Sequence, residues 1–147
     1  MTRPGITTIL EKNSPPMWFY AGDRFHYEKL PEGTRVIYPP GPSRPLAEPG
    51  VAIERALLEP MGMEPLHELL TPGMKLTIAF DDLSIPLPPM RKPDVRQQVI
   101  EKVLEKAAAK GVEDIHLIAA LGLHRRMTEA ELRHCLGGRI MSRYYPD

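Results

Sequence analysis

"DIHLIAALGLHRRMTEAEL", residues 114–132, decides how this chain folds. An apolar run from Asp114 to Leu121 stops at Gly122, and a helix-start signal begins at Thr128, with Glu131 three residues on. That threonine–glutamate spacing satisfies two orphan amides of a first helical turn reciprocally, so the segment is strand, loop and helix. His124 stands at the joint.

Upstream, "MKLTIAF" (Met74 to Phe80) is a second short, nearly continuous apolar run, of the kind expected for a strand buried on both faces. The loop after it, "DDLSIPLPPMRKP", cannot be helical through its prolines. Asp94 then opens a helix, with Gln97 completing a capping-box-like pattern. Val95, Val99, Val103 and Ala107, with Ile100 and Leu104 beside them, recur at helical spacing as one apolar face, and Gly111 supplies the stop. Gly137-Gly138 is expected to end the final helix. The order is β-loop-α-β-loop-α, an α/β class. Strands joined by a helical crossover are expected to be parallel neighbours with a right-handed connection, which amounts to half a doubly wound domain.

This topology bears on His124. In open parallel sheets, ligands sit beyond the carboxyl ends of the strands. Asp81, Asp82 and Ser84 leave the end of the first strand and His124 leaves the end of the second. Adjacent strands bring such exits to roughly 5 Å at the backbone, so both loops face one crevice. The final helix points its N-terminus at the same edge, a setting that favours anions. A histidine after a strand is often a plain loop residue, and paired aspartates often serve turns; the weight comes from their co-location. His116 lies within a strand and is expected to pack. His134 and Cys135 share the last helix without further ligands at zinc spacing, so no metal site within the chain is expected. His26 and His67 have no recognisable partners, the eight methionines read as core filler, and neither GxGxxG nor a Walker pattern is present.

The first half of the chain is less regular. Residues 1–16 read as a poorly ordered tail. "MWFYAGDRFHYEKLPEG" gives two aromatic-rich runs about Ala21-Gly22-Asp23, a hairpin, and Thr34 to Tyr38 could add a strand. "PPGPSRPLAEPG" is an extended linker. Val51 to Leu58 has a short amphipathic helical pattern, and Pro60 to Leu70 another turn or two. At 147 residues the expectation is one domain, over 17–147.

Nineteen basic residues balance nineteen acidic ones, which leaves no net field to attract nucleic acid or an anionic membrane. The Arg91-Lys92 and Arg125-Arg126 pairs read as solvated loops. One cysteine, no apolar leader-like stretch and no membrane-length run fit a cytoplasmic protein acting on a small molecule, its oligomeric state open.

"FDDLSIPLPP" and "LGLHRRMTEAEL" resemble the lactate racemase family, the nickel-pincer-nucleotide enzymes and their relatives. The resemblance extends from the Tyr20-Ala21-Gly22 hairpin through "ALLEPMGMEPLHELL" to Tyr145. It implies a partial, Rossmann-like parallel-sheet N-terminal domain preceded by a short hairpin. The family pattern after the first strand is Asp-x-Thr-Arg-Pro, and here it is Asp82-Leu83-Ser84-Ile85-Pro86. That segment contacts the cofactor in the family, so the resemblance implies that Asp82, Leu83, Ser84 and Ile85 bind the nickel-pincer nucleotide. His124 matches one of two catalytic histidines that exchange a proton with the substrate hydroxyl while hydride leaves the carbon bearing it. Ile85 stands where the family has an arginine linked to the substrate carboxylate. The implied substrate is therefore a related 2-hydroxy acid, sugar acid or polyol rather than plain lactate. Family members supply the second histidine, the cofactor-linked lysine and the nickel-ligand histidine in a second domain. None is found here, so the chain reads as a truncated N-terminal part, expected to be inactive alone. The alternative reading is a non-catalytic small-molecule or nucleotide-binding module of the same fold.

Overall fold

A computed structural model describes residues 6–41, 43–83 and 90–145. The chain divides into two compact units, Met1–Pro45 and Leu46–Asp147, with the boundary inside the proline-rich linker. One domain was expected over 17–147.

The first unit is two antiparallel pairs. Strand β1 (Thr7–Ile9) lies in the stretch expected to be a poorly ordered tail. It pairs with β4 (Arg35–Ile37), and Leu10 beside it is buried. No period-2 pattern marks so short a strand, and its partner supplies the order. Strands β2 (Met17–Ala21) and β3 (Arg24–Glu28) form the expected hairpin in the register Ala21↔Arg24. Its turn has a positive φ of 66° at Gly22 alone, as a type II′ turn requires at its first central position. Trp18 meets Tyr27 across the pair with the rings tilted by 34°, and Tyr20 meets Phe25 edge-on. All four rings are more than half exposed.

The second unit begins with α1 (Pro49–Leu58), entered through a proline in its first turn, where no amide partner is lost. A single turn, α2 (Leu66–Leu69), follows. Then come β5 (Lys75–Asp81), α3 (Val95–Ala109), β6 (Asp114–Ala120) and α4 (Glu129–Tyr144). β5 and β6 are adjacent and parallel, from Lys75↔Asp114 to Asp81↔Ala120, with α3 as the crossover.

Several expectations need correction. The strands are buried on one face only: Leu76, Ile78, Phe80, Ile115, Leu117 and Ala119 turn inward, while their neighbours, Ile118 and His116 included, are exposed. The apolar runs look continuous because small or aliphatic residues also fill the outer positions. His116 therefore does not pack. Secondly, the buried stripe of α3 runs through Arg96, Ile100 and Ala107, and Val95 is 40% exposed. The helix is rotated from the valine row to admit an arginine. Thirdly, Gln97 does not close a capping box; it donates to Glu101, and the Asp94 carboxylate caps α3 by accepting from the Arg96 amide at 2.9 Å. Lastly, α4 does not stop at Gly137-Gly138. Gly137 takes φ 74°, ψ 166°, a break, and a second helical segment runs on to Tyr144. Its Ile140 and Met141 are buried with Phe80, Ile100, Cys135 and Leu136 in the main core, so tertiary packing carries the helix past its local stop signal. Met61, at 98% exposure, is no core filler.

Candidate functional site

The carboxyl ends of β5 and β6 are level, since Asp81 and Ala120 are register partners. The residue that follows β5 is Asp82. Beyond β6 the chain turns through Gly122 (φ 57°), and the His124 amide donates to the Leu121 carbonyl at 2.9 Å. That turn brings the imidazole back over the strand ends. His124 Nδ1 lies 3.0 Å from Asp82 Oδ2 and 3.2 Å from Oδ1, straddling the carboxylate. The Asp82 side chain is 5% exposed and that of His124 is 45% exposed. An ionised carboxylate only accepts hydrogen bonds, so Nδ1 carries the proton and Nε2 is left as the acceptor of the neutral ring. The two loops expected to share a crevice thus meet in a hydrogen bond, across 42 residues of chain.

Other sequence-selected positions fare differently. Leu83 packs its side chain against the main core, so a contact from it to a ligand would be through the backbone. Ser84 and Ile85 lie outside the described residues. The N-terminus of α4, expected to favour an anion, already holds one of its own. Glu131 accepts from the Thr128 amide at 2.7 Å, and the Thr128 hydroxyl accepts from the Glu131 amide at 3.3 Å, which is the capping box read from the sequence. Arg125 grips the same carboxylate at two points, 2.7 and 3.0 Å, so it is not a loosely solvated cation. These bonds, the arginine's first, hold the Glu131 carboxyl down to about 2. An apolar pocket of about 200 Å³ lies on the core side of the sheet, among Phe80, Leu117, Ala119, Leu132 and Leu136; neither Asp82 nor His124 lines it.

Sequence reasoning missed Arg96. Its guanidinium is buried, with Nε 2.9 Å and Nη2 2.8 Å from the two oxygens of Asp94, itself fully buried. Nη1 reaches out to the end of β5, donating to the Asp82 carbonyl at 3.2 Å and approaching the Asp81 carboxylate at 3.4 Å. Burial alone would push the Asp94 carboxyl up, but the arginine's hydrogen bonds and charge hold it low, while Asp94 raises Arg96 in return. The available signal was an arginine two residues after a helix-capping aspartate, on a face otherwise apolar. His134 Nε2 also approaches the Met90 carbonyl at 3.1 Å, tying α4 to the segment that leads into α3.

Residues 22–145 match the family described as the lactate racemase N-terminal domain. The chain belongs to that family. The lactate racemase match takes in part of the first unit and nearly all of the second, and contains Asp82, Arg96 and His124. No curated protein matches the chain. Among the described residues, no group of three or more His, Cys, Asp or Glu side chains could hold a metal ion, and no helix is long and apolar enough to cross a membrane.

Proposed function

We propose that this domain supplies one proton-handling group of a racemase or epimerase that inverts a hydroxyl-bearing carbon of a 2-hydroxy acid, a related sugar acid or a polyol. One observation carries the reading. An exposed imidazole has its Nδ1 committed to a buried carboxylate at the level ends of two parallel strands. That pairing fixes the ring's orientation and tautomer, and leaves Nε2 to take a proton from a substrate hydroxyl and return it. Asp82 stabilises the imidazolium that forms while the proton resides there.

Among the described residues the donor set fits a ligand held by hydrogen bonds rather than a metal bound by this chain: one imidazole nitrogen and the backbone at residues 82 and 83. The nickel-pincer nucleotide, when bound, supplies a hydride acceptor for the carbon that bears the hydroxyl. Asp82, Leu83, Ser84 and Ile85 would hold it from this side. The proposed setting is the cytoplasm.

In a cofactor-loaded enzyme containing this domain, His124→Ala should lower turnover by about 10²–10⁴-fold with cofactor binding retained, because a methyl group neither accepts nor returns a proton. Ile85→Arg should shift preference toward small 2-hydroxy carboxylates over neutral polyols by restoring a guanidinium. Undiminished turnover in His124→Ala would make the histidine a loop residue. Isoleucine at position 85 favours a second reading, a binding module without chemistry; ligand binding with no inversion of any hydroxy acid or polyol would select it.

A further inference from the structure

The Asp82–His124 pair is only as well aimed as the main chain that carries Asp82, and the residue gripping that chain comes from a different element. We infer that Arg96, at the second position of α3, is a positioning residue for His124, acting through the end of β5. This rests on the reading of His124 as the proton-handling group.

Three observations converge. The guanidinium is fixed at its base, because two of its nitrogens meet both oxygens of the fully buried Asp94, whose carboxylate also caps α3. Its third nitrogen, Nη1, is the one turned toward β5, where it meets the Asp82 carbonyl at 3.2 Å and lies 3.5 Å from the Asp81 carbonyl. Asp82 is thus held on its main chain by Arg96 while its side chain holds His124 Nδ1. The line of contacts runs from the α3 cap to the strand end to the imidazole.

The chemistry explains the residue type. A guanidinium is a planar fork, able to close on a carboxylate with one edge and to donate along another. A lysine ammonium would carry the same charge as a single point and could not serve Asp94 and the β5 carbonyl with that geometry. A buried ion pair needed only for packing would not require the third contact. Its removal, once the chain had folded, would leave the imidazole unchanged.

The test reads the His124 ring directly, by ¹⁵N NMR of the imidazole nitrogens in the 147-residue chain. In the wild type the neutral ring should be predominantly the Nδ1–H tautomer, and Asp82→Ala should abolish that predominance. Arg96→Lys should move the His124 nitrogens toward the Asp82→Ala values, while resonances of residues 17–28 stay in place. The double variant Asp94→Asn with Arg96→Gln removes both buried charges together, keeps a capping side chain, and should give the same shift. A folded Arg96→Lys or double variant with a wild-type His124 spectrum overturns the inference. Loss of the fold in both would also count against it, marking Arg96 as a residue of the core. A positive tautomer result without turnover on any hydroxy acid or polyol would leave the positioning intact and remove the proposed activity.

Discussion

Glu131 is fully committed: Arg125 grips its carboxylate at two points, and the Thr128 amide and hydroxyl donate to it. With its folded-state pKa lowered from the ordinary 4.5 to about 2, its contribution to the start of α4 is fully present above the higher value. It is lost as pH falls through about 2. Carboxyl NMR should give a Glu131 midpoint near 2 with the Thr128 amide following it; an ordinary glutamate midpoint would show that the cap is open in solution. Cys135 poses the opposite case. Burial above all pushes its thiol up to about 11, and it is fully inaccessible. Alkylation at neutral pH should therefore be negligible in the folded chain and should become fast in denaturant. Rapid labelling under native conditions would mean that α4 separates from the core. At this scale the sequence disclosed His124 and Asp82, since a strand-loop-helix grammar fixes where exits fall. It hid Arg96, because a charged residue is by default assigned to solvent, and only the three-way contact with Asp94 and β5 makes its burial tolerable.

Among the elements, α4 shows how local and tertiary signals compete. Gly137 sits at φ 74°, ψ 166°, a region open essentially to glycine, and a Cβ placed there would come within 2.5 Å of the Gln97 carboxamide. The side chain could swing aside, but the backbone could not relax without moving the segment that carries Ile140 and Met141. Gly137→Ala should thus destabilise the fold by about 1–3 kcal/mol in urea unfolding. A neutral or stabilising result would mean that α4 runs straight. The glycine pair was legible as a stop; the resumption was not, because it depends on the packing of Ile140 and Met141, three and four positions beyond Gly137. The parallel pair was readable from its long helical crossover. Its one bare face was not, since Ala79, Ile118 and Ala120 look the same in sequence whether covered or exposed.

The whole molecule separates its spectroscopic probes. Trp18, the chain's one tryptophan, lies in the first unit, while all four described helices lie in the second. Trp18 is 68% exposed, so its emission should already be that of a water-facing indole in the native state. Denaturation followed by the Trp18 indole NMR signal and by helical circular dichroism should give different midpoints, the hairpin melting without α1 to α4. Coincident curves would show that the two units unfold as one. The proline cluster was legible as an extended linker, with no reason in sequence to prefer two units over one with a stiff connector.

The separation of 42 positions between Asp82 and His124 also sets an order of events. Helix α3 and the hairpin turns draw on neighbours in sequence and can form within microseconds. The imidazole–carboxylate contact must wait for a loop closure whose entropic cost grows with the logarithm of its length, and which is repaid only when α3 docks on β5 and β6. In a refolding experiment the His124 signal should therefore lag the far-ultraviolet helical signal and rise with burial of Cys135. The site is a late product of folding, and its appearance times the docking of the crossover.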